Sequence, residues 1–423
     1  MQNTLRTWLV LTSVIVTIVS TECRGEVPAA GLPKVLKKLS EKQPVKIVCL
    51  GDSVTGIYYH TGGRRAYPEM LAVALQQVYP EGKITVVNAG ISGHSTVDAL
   101  KRLQKDVLDH RPDLVTVMFG LNDIVRVPPE DFKTNLGTII EQCRGVGAEV
   151  LLCTSSPAAI DTPGRPIAKL EMYLQGMKEV GEKFQVPVCD VYAGYKRLRL
   201  SHPVAWRMLL SDEFHPNMDG HKLNAVELCR SITGKLISLK EAGPPQPALP
   251  RTVTKLKAGE TIRVLAMSPV DEWIAPALKA VLPDAKFEIV AWPTADQTLV
   301  QLEQSAQKVR GTMPQYDLVI VAVPLAVTPE RGAPEEAKLK SYTWILNYAL
   351  SFGLQEWDVV GVTPSVIKAD LTEAEQKQEA FARQIILAQD LSVISRDPDA
   401  KEKATAAPQQ VLEAWLRAQL SQK

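Results

Sequence analysis

Short apolar runs separated by helix-length amphipathic stretches constrain this chain more than any other feature. The runs KIVCL, ITVVNA, DLVTVMFG, EVLLCTS and VPVCDV follow one another between about Val45 and Leu236. Apolar segments of this length, bounded by turn residues, read as strands buried on both faces, and such strands belong to parallel sheets. Strand–helix alternation then predicts an open α/β sheet covered by helices on both sides. In such sheets chemistry gathers outside the carboxyl ends of the strands.

The alternation stops at a proline-rich stretch, Gly243-Pro244-Pro245-Gln246-Pro247, which reads as a stiff linker. It then resumes with IRVLAM, FEIVAW, DLVIVAV, DVVGVT and LSVISR. Aligning LAVALQQVYPEGKITVV, from Leu71, with IAPALKAVLPDAKFEIV, from Ile274, gives seven identities in seventeen positions without a gap. Ordinary residue usage would give about one. DLVTV from Asp113 likewise pairs with DLVIV from Asp317. The second half therefore reads as another copy of the first fold; convergent patterning is the alternative. A chain of 423 residues suits two domains. The expected organisation is a catalytic domain over residues 44–238, a linker over 239–258 and a second α/β domain over 259–423.

The amino terminus precedes this pattern. Arg6 is followed by an uncharged run from Trp8 to Val19 and then by Ser20 and Thr21. The run is short for a bilayer span, so residues 1–23 read as a signal peptide, with a retained anchor as the alternative. Cys23 invites a lipid-attachment reading, but Glu22 stands where a small residue is usual. Secreted or periplasmic placement without stable membrane insertion is expected. A net charge of +1, with no long run of one sign, argues against a nucleic-acid partner. Of six cysteines, Cys49, Cys153 and Cys189 lie inside apolar strand-like runs, where a thiol acts as a small hydrophobe, and no CxxC pair suggests zinc. No metal or cofactor is expected.

Four polar blocks follow the first runs. Gly51-Asp52-Ser53-Val54 comes after the first; a serine at a strand-to-helix turn exposes its hydroxyl above the sheet edge. Asn88-Ala89-Gly90-Ile91-Ser92-Gly93 follows the second run, and Gly93 can offer a backbone N–H to a close substrate. Gly120-Leu121-Asn122-Asp123 follows the third; an asparagine amide can donate to an oxyanion without changing charge. Asp212-Glu213-Phe214-His215-Pro216-Asn217 comes last, and a spacing of three lets Asp212 orient the His215 ring. Each block alone is also ordinary turn or cap chemistry.

As an ordered set, the blocks resemble the SGNH (GDSL-type) hydrolase family over roughly residues 45–238, with Val54 in place of the leucine of the older family name. The resemblance implies a flavodoxin-like three-layer sandwich with a parallel sheet, followed here by a second SGNH-like domain. It implies Ser53 as nucleophile, His215 as general base and acid, and Asp212 as its orienter. Ser53, Gly93 and Asn122 would form the oxyanion hole. The loop holding Tyr58, Tyr59, His60, Arg64 and Arg65, with His94, is expected to wall the substrate cleft, stacking on sugar and meeting hydroxyls or a carboxylate. The expected activity is ester hydrolysis through an acyl-enzyme, on a small ester or an acylated, foremost acetylated, carbohydrate. A lysophospholipase or thioesterase is one alternative, and a non-catalytic carbohydrate-binding protein another. In the second half Val270 falls opposite Ser53, Ala326 opposite Asn122 and Asp296 opposite Gly93; the last histidine of the chain is His221, so that half lacks a histidine base.

Overall fold

The structure is a computed structural model that describes residues 31–156, 161–327, 335–396 and 406–421. The expected signal segment, residues 1–23, and Cys23 with it, lies outside the described residues. The chain forms two compact units. One runs to Ile57 and resumes over Arg65–Ala242; the other takes Tyr58–Arg64 together with Gly243 onward.

The first unit holds five strands, β1 (Val45–Gly51), β2 (Ile84–Gly90), β3 (Leu114–Met118), β4 (Glu149–Cys153) and β5 (Val188–Cys189). All pairings are parallel, in the order β2-β1-β3-β4-β5. β3 is buried at every residue and β1 at nearly every one, which is why both read as unbroken apolar runs. β2 is an edge strand and carries Thr85 and Asn88 among its apolar residues. The helix Tyr67–Val78 packs against Met218–Thr233, while Thr96–Asp106, Pro129–Gly145 and Ile167–Phe184 pack in succession. Ile47, Leu50, Val115, Val117, Leu151 and Leu152 form the sheet's share of the core. Strand order reverses between β1 and β3, which makes the crevice above their carboxyl ends the natural ligand site.

The second unit repeats this plan with β6 (Ile262–Met267), β7 (Phe287–Trp292), β8 (Leu318–Val321), β9 (Asp358–Val362) and β10 (Val393–Ile394), again all parallel. Their order, β7-β6-β8-β9-β10, is the same as in the first sheet. Register matches too. Val45 faces Ile84 and Ile47 faces Leu114 in the first sheet; Ile262 faces Phe287 and Val264 faces Leu318 in the second.

A polar knot at the amino-terminal edge of each sheet recurs residue for residue. In the first unit Asp113 accepts from the Lys46 N–H at 2.9 Å and pairs with Lys38 at 2.6 Å. In the second, Asp317 accepts from the Arg263 N–H at 3.0 Å and pairs with Lys255 at 2.9 Å. One strand over, Glu149 accepts from the Lys34 and Val35 N–H groups, capping the helix Pro33–Ser40. Asp358 accepts from the Thr252 N–H, capping Pro250–Lys257. Helix amino-terminal N–H groups have no partner within the helix, so a carboxylate there satisfies them and favours the helix dipole.

These two helices also shift the expected boundaries. The first unit begins before residue 44, because Leu32, Val35 and Leu39 belong to its core. The stretch expected as linker contains Pro250–Lys257, whose Thr252, Val253 and Leu256 are buried. The five described cysteines, Cys49, Cys143, Cys153, Cys189 and Cys229, are buried and unpaired. Burial pushes the Cys49 and Cys143 thiols up to about 12, which keeps them protonated and inert.

Burial alone would raise the Asp317 carboxyl, but Lys255 and the Arg263 N–H outweigh it and hold it below the ordinary carboxylate value. Asp317→Ala should therefore destabilise the second unit by about 2–3 kcal/mol, the range for buried hydrogen bonds to a charged group. Urea unfolding followed by tryptophan fluorescence measures this; a loss under about 0.5 kcal/mol would show that the knot is decorative.

Candidate active site

The turn after β1 is set by two glycines. A Cβ on Gly51 would sit 1.9 Å from Thr55 Oγ1 and 2.9 Å from the Met118 carbonyl, and one on Gly90 would sit 2.2 Å from the Gly56 nitrogen. The Met118 and Gly56 atoms are backbone and cannot swing aside, so β1, β2 and the turn approach this closely only because both positions lack a side chain. Inside the turn the Thr55 and Gly56 N–H groups donate to the Asp52 carbonyl, and Asp52 Oδ1 accepts from the Val54 N–H at 2.9 Å. Ser53 is carried at its tip. Arg102 fixes the strand ends below by donating to the carbonyls of Gly51 at 2.9 Å and Ala89 at 2.8 Å. The expected strand-to-helix turn is in fact a strand-to-loop turn: the next α-helix starts at Tyr67, because additional residues intervene.

The histidine arrives on a loop tied at both ends. The Ser211 N–H donates to the His215 carbonyl at 2.9 Å, and Leu210 bridges Pro216. Asn217 donates through Nδ2 to the Met208 carbonyl at 2.7 Å and caps the helix Met218–Thr233 through Oδ1. Within the loop Asp212 Oδ1 accepts from the N–H groups of Phe214 and His215, at 2.7 and 2.8 Å. Its Oδ2 lies 2.8 Å from His215 Nδ1, and His215 Nε2 lies 2.8 Å from Ser53 Oγ. A carboxylate can only accept, so Nδ1 carries the proton and Nε2 faces the hydroxyl as a base.

Electrostatics suit that role. Burial pushes the His215 imidazole down, but the carboxylates of Asp212 and then Asp52 outweigh it, and the ring ends above its ordinary value. Asp52 is itself pushed up to about 6 by burial, against the pull of the Val54 N–H and the His215 charge.

Asn122 follows β3. Its Nδ2 donates to the His94 carbonyl at 3.0 Å and to Asp52 Oδ2 at 3.3 Å, while its Oδ1 accepts from Arg165 at 3.3 Å. Gly93 has φ +74°, the left-handed region, and a Cβ there would meet open space. Arg126 donates to its carbonyl. The structure thus brings Ser53, Asp212 and His215 into one relay, with Asn122 tied to it through Asp52. Asp123 serves the scaffold instead: its Oδ1 accepts from the N–H and hydroxyl of Thr96, at 2.9 and 2.6 Å, where the helix Thr96–Asp106 begins.

The expected substrate set is placed differently. Tyr58, Tyr59, His60 and Arg64 belong to the second unit. Tyr58 and Tyr59 meet Phe352 at 5.5 and 6.0 Å between ring centroids, Arg310 lies over Tyr59, and Arg64 donates to the carbonyls of Pro245 and Pro247. Tyr59 and His60 are buried. Arg65 is in the first unit, near Glu69. His94 touches Asn122 through its carbonyl, and burial lowers the pKa of its ring. Arg102 and Arg165, absent from the sequence-based set, carry no motif of their own. Among the described residues no group of three or more His, Cys, Asp and Glu is arranged to hold a metal ion, and no helix is long and apolar enough to cross a membrane.

Residues 49–223 match the GDSL-like lipase/acylhydrolase family. The chain is 26% identical to the acetylxylan esterase of Geobacillus stearothermophilus over 209 residues, 44% of this chain and 93% of that protein. It is 33% identical to the thioesterase 1/protease 1/lysophospholipase L1 of Escherichia coli K12 over 187 residues, 44% of this chain and 82% of that protein. A crystal structure of a Geobacillus stearothermophilus acetylxylan esterase matches with 26% identity and a TM-score of 0.39, covering 44% of this chain and 94% of that one. The chain belongs to the GDSL-like lipase/acylhydrolase family. It is a carboxylic ester hydrolase.

A base must be neutral to take a proton. Hydrolysis of p-nitrophenyl acetate should therefore rise with pH through a midpoint above the ~6.5 of an unperturbed imidazole. Asp212→Asn should move that midpoint down and lower kcat by about 10⁴. An unmoved midpoint in this variant would remove Asp212 from the relay.

Proposed function

We propose that this chain is an exported esterase that removes small acyl groups, foremost acetyl, from carbohydrate through an acyl-enzyme on Ser53. The observation that carries the reading is the unbroken relay of two 2.8 Å contacts from Asp212 through His215 to Ser53. In the proposed cycle His215 Nε2 takes the hydroxyl proton as Ser53 Oγ bonds to the ester carbonyl carbon. The resulting oxyanion is met by the N–H groups of Ser53 and Gly93 and by Asn122 Nδ2. Collapse breaks the bond to the leaving oxygen, which receives the proton from His215. Water then adds to the acyl carbon while His215 takes its proton; the acid leaves and the serine hydroxyl is restored.

The acetyl preference draws support from the 26% identity to an acetylxylan esterase. The 33% identity to a thioesterase and lysophospholipase supports a second reading, hydrolysis of long acyl chains. Export rests on the apolar run Trp8–Val19 behind Arg6. For the second unit, we propose a copy of the same fold that has lost its chemistry. The shared strand order, register and polar knot support duplication. The absence of any histidine after His221 supports the loss.

Ser53→Ala should lower kcat on p-nitrophenyl acetate by on the order of 10⁶. Asn122→Ala should cost roughly 3–4 kcal/mol of transition-state stabilisation, as for other side-chain oxyanion donors. An acyl-chain series beside acetylated xylan separates the two substrate readings: faster turnover of C8–C16 esters than of acetate would replace the first by the second. A Ser53→Ala protein that retains full activity would sink both.

A further inference from the structure

An asparagine side chain has two ends of nearly the same shape and opposite hydrogen-bonding character, so its neighbours decide which end points where. At Asn122 the decision is unambiguous. Nδ2 faces two acceptors, the His94 carbonyl and Asp52 Oδ2; Oδ1 faces one donor, Arg165 Nη2. Turned over, the amide would set oxygen against a carbonyl and a carboxylate, and N–H against a cation.

Arg165 is the long, flexible partner among these three, and it is itself seated. Its Nε donates to the Leu121 carbonyl at 3.1 Å, so the guanidinium spans the Leu121–Asn122 step with two of its donors. Its guanidinium carbon lies 4.8 Å from the centroid of the Phe214 ring, and Phe214 stands between Asp212 and His215 on the histidine loop. Its backbone N–H closes a turn onto Thr162, at 3.0 Å to the carbonyl and 3.1 Å to the hydroxyl. A planar fork that bonds along its edge and stacks on its face is what arginine offers and lysine does not.

We propose that Arg165 is a positioning residue for the oxyanion amide: its guanidinium holds Asn122 Oδ1 so that Nδ2 is presented to the substrate carbonyl. The proposal rests on the reading of Ser53 as nucleophile and Asn122 as oxyanion donor. It also answers a difficulty in that reading. Both Nδ2 hydrogens are engaged by the protein, and the longer bond, to Asp52, is the one to yield when an oxyanion forms. With Oδ1 held by Arg165 and the other hydrogen held by His94, the amide plane stays in place while that exchange occurs. A hydrogen bond onto Oδ1 also polarises the amide and strengthens its N–H groups as donors.

The test is a double-variant cycle on p-nitrophenyl acetate. Arg165→Ala should lower kcat roughly 10- to 100-fold and change KM by less than about threefold, as expected for a contact that matters only in the transition state. In the Asn122→Ala background the same substitution should cost less than about twofold, because the group it serves is gone. Guanidinium ion at millimolar concentration should restore part of the Arg165→Ala activity, and none in the double variant. Arg165→Lys should stay nearer the alanine variant than the wild type. If Arg165→Ala does not fold, as judged by its melting curve, Arg165→Gln takes its place in the cycle. A wild-type kcat in the single variant, or fully multiplicative losses in the double variant, overturns the proposal. Ser53→Ala separates the levels: an inactive Ser53→Ala beside an unimpaired Arg165→Ala refutes only the role of Arg165, whereas an active Ser53→Ala refutes the reading beneath it.

Discussion

A single buried carboxylate organises the loop that carries His215. Asp212 takes the N–H groups of Phe214 and His215 on one oxygen and the His215 ring on the other. Burying a charge is tolerable when every lone pair facing the protein finds a donor, and here the donors are the loop's own backbone and its own histidine. One contact set therefore shapes the loop, selects the tautomer and raises the basicity of the ring. The rest of the site is arranged around where this places Nε2.

The scaffold beneath shows how little of a sheet must be specific. Each unit anchors its amino-terminal edge with an aspartate at the foot of the third strand, a lysine from the helix before the first strand, and an acidic residue capping that helix from the fourth strand. The carboxyl edges differ instead. Ser53 lies where the first unit's opening strand gives way to its turn; in the second unit the opposite position, Val270, is buried at the start of a helix. The shared contacts fall at one edge and the differences at the other, the edge above which sheets of this kind bind ligands.

Much of this was legible in the sequence because strand positions announce themselves. All ten apolar runs became strands, and three of the four polar blocks were found by looking just beyond the first of them; the histidine block lies past two helices that follow β5. The relay partners lie within three residues of one another or at a strand end, where local chemistry is readable. Arg165 and Arg102 were not legible: each acts on a backbone carbonyl far off in sequence, and a carbonyl has no letter in the sequence. Asp123 is adjacent to Asn122 and just as polar, yet it serves Thr96; which of two neighbours turns toward Asp52 depends on the path of the chain, not on composition. The aromatic loop after Ser53 was expected to wall the substrate cleft; Tyr59 and His60 are buried in the second unit. The stacking partners of its tyrosines, Phe352 and Trp344, lie too far along the chain for periodicity to reveal.

That loop has a consequence for biogenesis. The first unit can complete its own sheet once the ribosome has passed Ala242, but Tyr59 finds Trp344 and Phe352, and Gly63 its partner Gln355, only after most of the second unit has been made. At translation rates of roughly 5–20 residues per second that wait is on the order of ten seconds. A nascent chain must carry a short aromatic segment unsatisfied throughout it, so the late half of the message completes something begun in the early half.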